Sequence, residues 1–153
     1  MLIFNFIFQG WPEMAAVIFT SFAIVGYKPN LRDNICYSLL LVAIIYLFRM
    51  LPIPFGLHTL VALIVIVLII YKVAKASLGS SFFAAFSVII ILTFAETLFQ
   101  FLFKKIIGNV PISQRWLWIM VGWPQIASLA GIGIIIRKIR PIVIKKQRWL
   151  NQL

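Results

Sequence analysis

Four short polar or Pro/Gly-rich segments, "KPNLRDN", "PIPFG", "KASLGS" and "KKIIGNVPISQ", divide an otherwise apolar chain into runs of membrane-crossing length. A helix needs roughly 20 apolar residues to cross the hydrocarbon, and roughly 17 at the least. The runs predict five transmembrane helices: Leu2 to Tyr27, Asn34 to Leu51, Leu57 to Tyr71, Ser81 to Phe103 and Arg115 to Ile136. The third is short unless Lys72 snorkels at its end. Because 63% of the 153 residues are hydrophobic, more than a soluble core of this size can hide, the expected fold is all-α, a polytopic membrane helical bundle. No soluble domain or low-complexity linker interrupts it. The opening "MLIFNFIFQG" lacks a basic n-region and a small-residue cleavage site, and reads as mature chain.

Charge sets the expected orientation. Only Glu13, Asp33 and Glu96 are acidic, against fourteen Lys and Arg, and the cations punctuate the apolar runs as loop residues do. With the N-terminus outside, Lys28, Arg32, Lys72, Lys75 and the six cations after Ile136 fall on the cytoplasmic side. Arg49, Lys104, Lys105 and Arg115 remain outside. That bias predicts N-out, C-in by the positive-inside rule. The alternative is a first run that does not fully span, leaving both ends inside. Residues 1–136 are thus read as the transmembrane bundle and 137–153 as a basic cytoplasmic juxtamembrane tail, "RKIRPIVIKKQRWLNQL", suited to anionic lipids of the inner leaflet. A nucleic-acid partner would need a solvated basic face with interleaved aromatics, which this pattern lacks. One cysteine, Cys36, and one histidine, His58, exclude an intrachain disulfide and any zinc site of the Cys/His type, so no cofactor or metal is expected.

Two stretches repeat. "GWPEMAAVIFTSFAIVGYKP" and "GWPQIASLAGIGIIIRKIRP", offset by 112 residues, share Gly10/Gly122, Trp11/Trp123, Pro12/Pro124, Ala15/Ala127, Ile24/Ile136 and Pro29/Pro141. Both copies run from outside to inside under this topology, unlike the inverted repeat of a typical secondary transporter. Each proline removes one helix hydrogen bond and clashes with the carbonyl four residues earlier, that of Phe8 or Met120. Helices 1 and 5 are therefore expected to be broken at Pro12 and Pro124, with the freed carbonyls satisfied by neighbours, water or a ligand. A polar side chain, Glu13 or Gln125, follows each break at roughly 15 Å below the outer surface.

The fourth run carries Thr93, Glu96, Thr97 and Gln100 on one face, with Glu96 about 12 Å below the same surface. A carboxylate inside the membrane costs on the order of 3 kcal/mol, so Glu96 is expected within the bundle, paired or neutralised. Arg49 is the available counter-charge, and His58 opens the third run beyond the "LPIPFG" turn. Glu13, Arg49, His58, Glu96, Gln100, Trp123 and Gln125 are the candidate ligand-binding residues of an outward-facing pocket, walled also by Trp11, Trp116 and Trp118. An Arg49–Glu96 pair that merely pins two helices is the structural alternative. Ala16, Thr20 and Ala23 follow Glu13, and Ser128, Gly131 and Gly133 follow Gln125, which predicts close packing of runs one, four and five. The aliphatic "LVALIVIVLII" of run three is then left to face lipid. No paired nucleophile and base, phosphate-cradling glycine loop or metalloprotease motif is present, so an enzyme is not expected.

The order "RMLPIPFGLHTL", an aliphatic span, "AETL" in the next span, and a Pro-containing final span ending in basic residues resembles the multi-span membrane input module of Gram-positive sensor histidine kinases, over roughly residues 30 to 140. In that family the last span continues into phosphoacceptor and ATP-binding domains. The chain here ends at Leu153 with neither. The resemblance implies a stand-alone, sensor-like module of a bacterial cell membrane. Such a module would recognise a small ligand or peptide from outside and pass its state to a partner protein. A small oligomeric ion- or proton-coupled transporter or channel using Glu13 and Glu96 is the first alternative. The second is a structural subunit of a membrane complex, and either a protein partner or a homo-oligomer is expected.

Overall fold

The computed structural model describes residues 6–50, 57–107 and 115–150. Among them no strand occurs, and five α-helices follow one another. These are α1 (Trp11–Val25), α2 (Leu31–Met50), α3 (Leu57–Val73), α4 (Leu78–Ile107) and α5 (Arg115–Leu150), with a π-helical turn, Phe6–Gly10, leading into α1. Three stretches, Phe6–Val25, Leu31–Phe48 and Leu78–Ile106, are long and apolar enough to cross a membrane, and α3 is apolar but shorter. The chain is therefore a helical protein of membrane type. The expected starts and ends of the second, third and fourth runs lie within four residues of the observed ones, and the first run's expected end lies two residues past that of α1, while its expected start, Leu2, lies outside the described residues. The exception is α5, which runs without interruption through the residues assigned to the tail as far as Leu150.

Helix α1 is the centre. It packs against each of the other four, most extensively α5, while α2, α3, α4 and α5 contact one another in sequence order around it. Seven of its side chains between Ala16 and Ala23 are buried, with Phe19 the exception. That is the pattern of a helix surrounded on nearly all sides. Helix α3 does not simply face lipid, as its uniform hydrophobicity suggests. Ala62, Ile66, Val67, Ile69 and Ile70 are buried and join one core cluster with Ala84, Ala85 and Val88 of α4 and with Ile18 and Phe22 of α1. Hydropathy without periodicity does not distinguish its two sides. The short side chains of α4 do, by admitting the bulkier residues of α3.

Local chemistry fixes the turns. Gly26, at φ +79°, ends α1: its N–H donates to the Ala23 carbonyl and that of Tyr27 to the Phe22 carbonyl, a Schellman pair. Ser77 starts α4, its Oγ accepting the Ser80 N–H at 3.2 Å and its carbonyl accepting the Ser81 hydroxyl at 2.9 Å. The segment "PIPFG" and the link before α5 lie outside the described residues.

Helices α1 and α5 lie side by side and parallel. Gln9 lies over Gly122 and Thr20 over Gly133, both one residue more than the sequence repeat's own offset. Thr20 Oγ1 donates to the Leu129 carbonyl at 3.0 Å across this interface. Gly133 is one helical turn beyond Leu129, so its missing side chain opens the approach to that carbonyl: a Cβ there would stand 2.7 Å from Thr20 Oγ1. The repeated Gly-Trp-Pro segments thus stand at the same level on adjacent helices.

Candidate functional site

The up-and-down order brings the sequence-predicted residues to one end of the bundle. Glu13 lies in the first turn of α1, Arg49 near the end of α2, His58 at the start of α3, Glu96 and Gln100 late in α4, and Trp123 and Gln125 early in α5. At that end they divide between the centre and the outside.

At the centre are Glu13 and Gln125. Glu13 is partly buried, and Gln125 is only 4% exposed. Pro12 occupies the first turn of α1 directly after the π-helical turn, whereas Pro124 lies inside α5. Close approach here depends on the two repeated glycines. A Cβ at Gly10 would meet Tyr46 and Val42 of α2 at 3.0 and 3.1 Å, and one at Gly122 would meet Gln9 Nε2 at 2.7 Å. The sequence reading passed over Gln9; its position four residues before Glu13, on the same helix face, is the signal that marks it. Trp11 packs inward, with Nε1 donating to Ser38 Oγ at 3.0 Å, while the Ser38 hydroxyl donates in turn to the Ile35 carbonyl at 2.9 Å. Its counterpart Trp123 is 49% exposed, so the two tryptophans of the repeat do different work. His58 is partly buried. The side chains of Arg49, Trp116 and Trp118 lie outside the described residues, as does the Arg49–Glu96 pair.

On the outside are Glu96 and Gln100. Glu96 is exposed rather than enclosed by the bundle, and its Oε1 accepts a hydrogen bond from Gln100 Nε2 at 3.2 Å, one turn along α4. Thr93 and Thr97 share the exposure, and Thr97 Oγ1 donates to the Thr93 carbonyl at 2.8 Å. Phe94, Leu98 and Phe101 flank this strip, also exposed. The reason is the position of the small residues. Ala84, Ala85 and Ala95 turn inward and let α4 pack closely, which leaves the Thr93–Glu96–Gln100 side pointing away.

The opposite end is basic, and sequence reading treated its cations as orientation signals and as a tail suited to anionic lipids, without singling out any one of them. Arg140 of α5 lies across Gly26 at the end of α1, where any Cβ would collide with its Nη1 and Cζ. Arg137 stands 6.0 Å from the centre of the Phe19 ring. Among the described residues no group of three or more His, Cys, Asp or Glu side chains could hold a metal ion. Comparison of the chain with protein-family models, with curated proteins and with solved structures finds no match.

Proposed function

We propose that the chain is a sensor-like accessory subunit of the cell membrane, which docks through the Glu96–Gln100 face of α4 against a transmembrane helix of a partner protein. Its N-terminus is outside and its basic end cytoplasmic. One observation carries the reading: a carboxylate and an amide stand together on the outward face of an apolar helix. A carboxylate facing lipid costs on the order of 3 kcal/mol. The hydrogen bond from Gln100 offsets about 1 kcal/mol of that. A partner helix presenting a cation or further donors at the same depth offsets the rest. A second copy in the same orientation would set Glu96 beside Glu96, so like charges disfavour a homo-oligomer built on this face.

The outer end supplies the ligand-recognising part of this reading. Glu13 follows Pro12 in the first turn of α1, Trp123 and Gln125 flank Pro124 inside α5, and α5 extends from that level to the basic end. A small ligand or peptide bound there would act on the partner through the α1–α5 pair. The competing reading is an oligomeric proton or cation carrier using Glu13 and Glu96. It needs a path between a residue on the central helix and one on the outer face.

Isolation of the tagged chain from its native membrane, with mild detergent, tests this. The expected result is a complex of fixed stoichiometry with one other membrane protein, lost in Glu96→Gln and in Gln100→Leu while the isolated chain stays folded. Glu96-dependent uptake of protons or cations by liposomes holding the purified chain alone would defeat the reading.

A further inference from the structure

We propose that the basic end of the bundle holds a phosphate group in a site built around Arg140, shared between two adjoining cavities. The first cavity, about 290 Å³, is lined by Ala23, Gly26, Tyr27, Lys28, Arg137 and Arg140. The second, about 490 Å³, is lined by Ser77, Ser80, Gly79 and Phe83, and again by Arg140. Three cations therefore border the first cavity, and no Asp or Glu borders either one.

One nitrogen of the guanidinium lacks an acceptor. Arg140 Nη1 is buried and has no hydrogen-bond partner. A buried donor on a charged group left unsatisfied is costly, and native proteins rarely leave one so. The end of α1 does not supply the acceptor: none of its carbonyls accepts from Nη1. The negative end of the α1 dipole explains why a cation is tolerated there, but not what its N–H groups bond to.

Gly26 is required twice at this place. Its φ of +79° favours glycine, and its missing Cβ is the space the guanidinium occupies. Helix α5 holds the arginine in place by continuing past Ile136 rather than ending there.

Phosphate fits this arrangement through its number of oxygens. A planar guanidinium fork pairs with two oxygens, of a phosphate as of a carboxylate, and a phosphate has further oxygens for Lys28 and Arg137, which border the same cavity. On the other side of Arg140, the Ser77 hydroxyl donates to Ser80 Oγ at 3.0 Å, which leaves the Ser80 hydroxyl proton free to donate. The group bound is the phosphate of an anionic lipid headgroup at the end of the helices or a free phosphate from solution.

The test uses the full chain in neutral detergent, with thermal unfolding followed as short-chain phosphatidylglycerol, short-chain phosphatidylcholine or inorganic phosphate is added. The expected result is saturable stabilisation by phosphatidylglycerol, weakened about ten-fold or more in Arg140→Gln. In Lys138→Gln, which removes the same charge from a residue lining neither cavity, the stabilisation is expected to be unchanged. Stabilisation by inorganic phosphate with the same Arg140 dependence supports the site and assigns it to a soluble ligand. Arg140→Lys keeps the charge but not the fork and is expected to fall between. Equal weakening in Arg140→Gln and Lys138→Gln, or no saturable effect of any probe, overturns the proposal. If Arg140→Gln does not fold, Lys28→Gln against Lys138→Gln makes the same comparison.

Discussion

Replacing Gly133 by alanine places a methyl group in the tightest part of the α1–α5 interface. The new carbon would stand 2.7 Å from Thr20 Oγ1 and 2.9 Å from two carbons of the Phe19 ring, well inside ordinary contact. Thr20 cannot swing aside without giving up its buried bond to the Leu129 carbonyl. Such interhelical bonds contribute about 0.6–1.7 kcal/mol in membrane proteins. Overpacking of this kind costs about 1–3 kcal/mol, against a gain of about 1 kcal/mol from replacing a helical glycine. Gly131→Ala, two residues earlier on the same helix, is the internal control: a Cβ there meets nothing within 4 Å, so only the gain remains. Reversible unfolding in mixed micelles as the denaturing detergent is raised reads both variants. Gly133→Ala is expected to be about 2 kcal/mol less stable than Gly131→Ala. Adding Thr20→Ala to Gly133→Ala should recover part of the loss, because it removes the atom the methyl strikes. Equal stability of the two glycine variants would refute the parallel packing on which the site geometry rests.

Three further outcomes follow from named contacts. Trp11→Phe is expected to cost about 1 kcal/mol by removing the donor to Ser38, and Ser38→Ala should add little to it, as a double-mutant cycle would measure. Gly26→Ala is expected to cost at least about 1–2 kcal/mol in the same unfolding assay, since it combines a left-handed φ with a collision against Arg140. A cysteine at Lys75, an exposed residue in the turn between α3 and α4, should in a Cys36→Ser background react with an impermeant maleimide only after the cell membrane is opened. Labelling of intact cells would reverse the proposed orientation.

Much of the fold was legible because hydrocarbon thickness and punctuation act on the sequence directly: "KPN" ends α1 and "KAS" ends α3 within a residue or two of where the apolar runs stop. The repeat also carried spatial information. Its offset nearly matches the register in which Gln9 meets Gly122 and Thr20 meets Gly133, because two parallel helices with the same spacing of small and Pro residues stack level. The facing of α3 and α4 was not legible. In a helix as uniformly apolar as "LVALIVIVLII" no polar residue marks the outside, and in α4 the polar strip marks the outside only because Ala84, Ala85 and Ala95 claim the inside. Glu96 illustrates the point. Its cost in lipid argues for enclosure, but enclosure by a neighbour in the chain and enclosure by a partner give the same sequence. Arg140 was hidden for another reason, since nothing in "RKIRP" distinguishes the cation that folds back over a glycine from those that face solvent.

The docking role of α4 is tested most directly by a photo-crosslinking amino acid in place of Thr97, the exposed neighbour of Glu96, activated in the native membrane. The account predicts one discrete adduct with a different membrane protein. The adduct maps to a transmembrane segment bearing a cation or amide at the depth of Glu96, and Glu96→Gln abolishes it. Adducts with lipid alone, or with a second copy of the chain irrespective of Glu96, would contradict it.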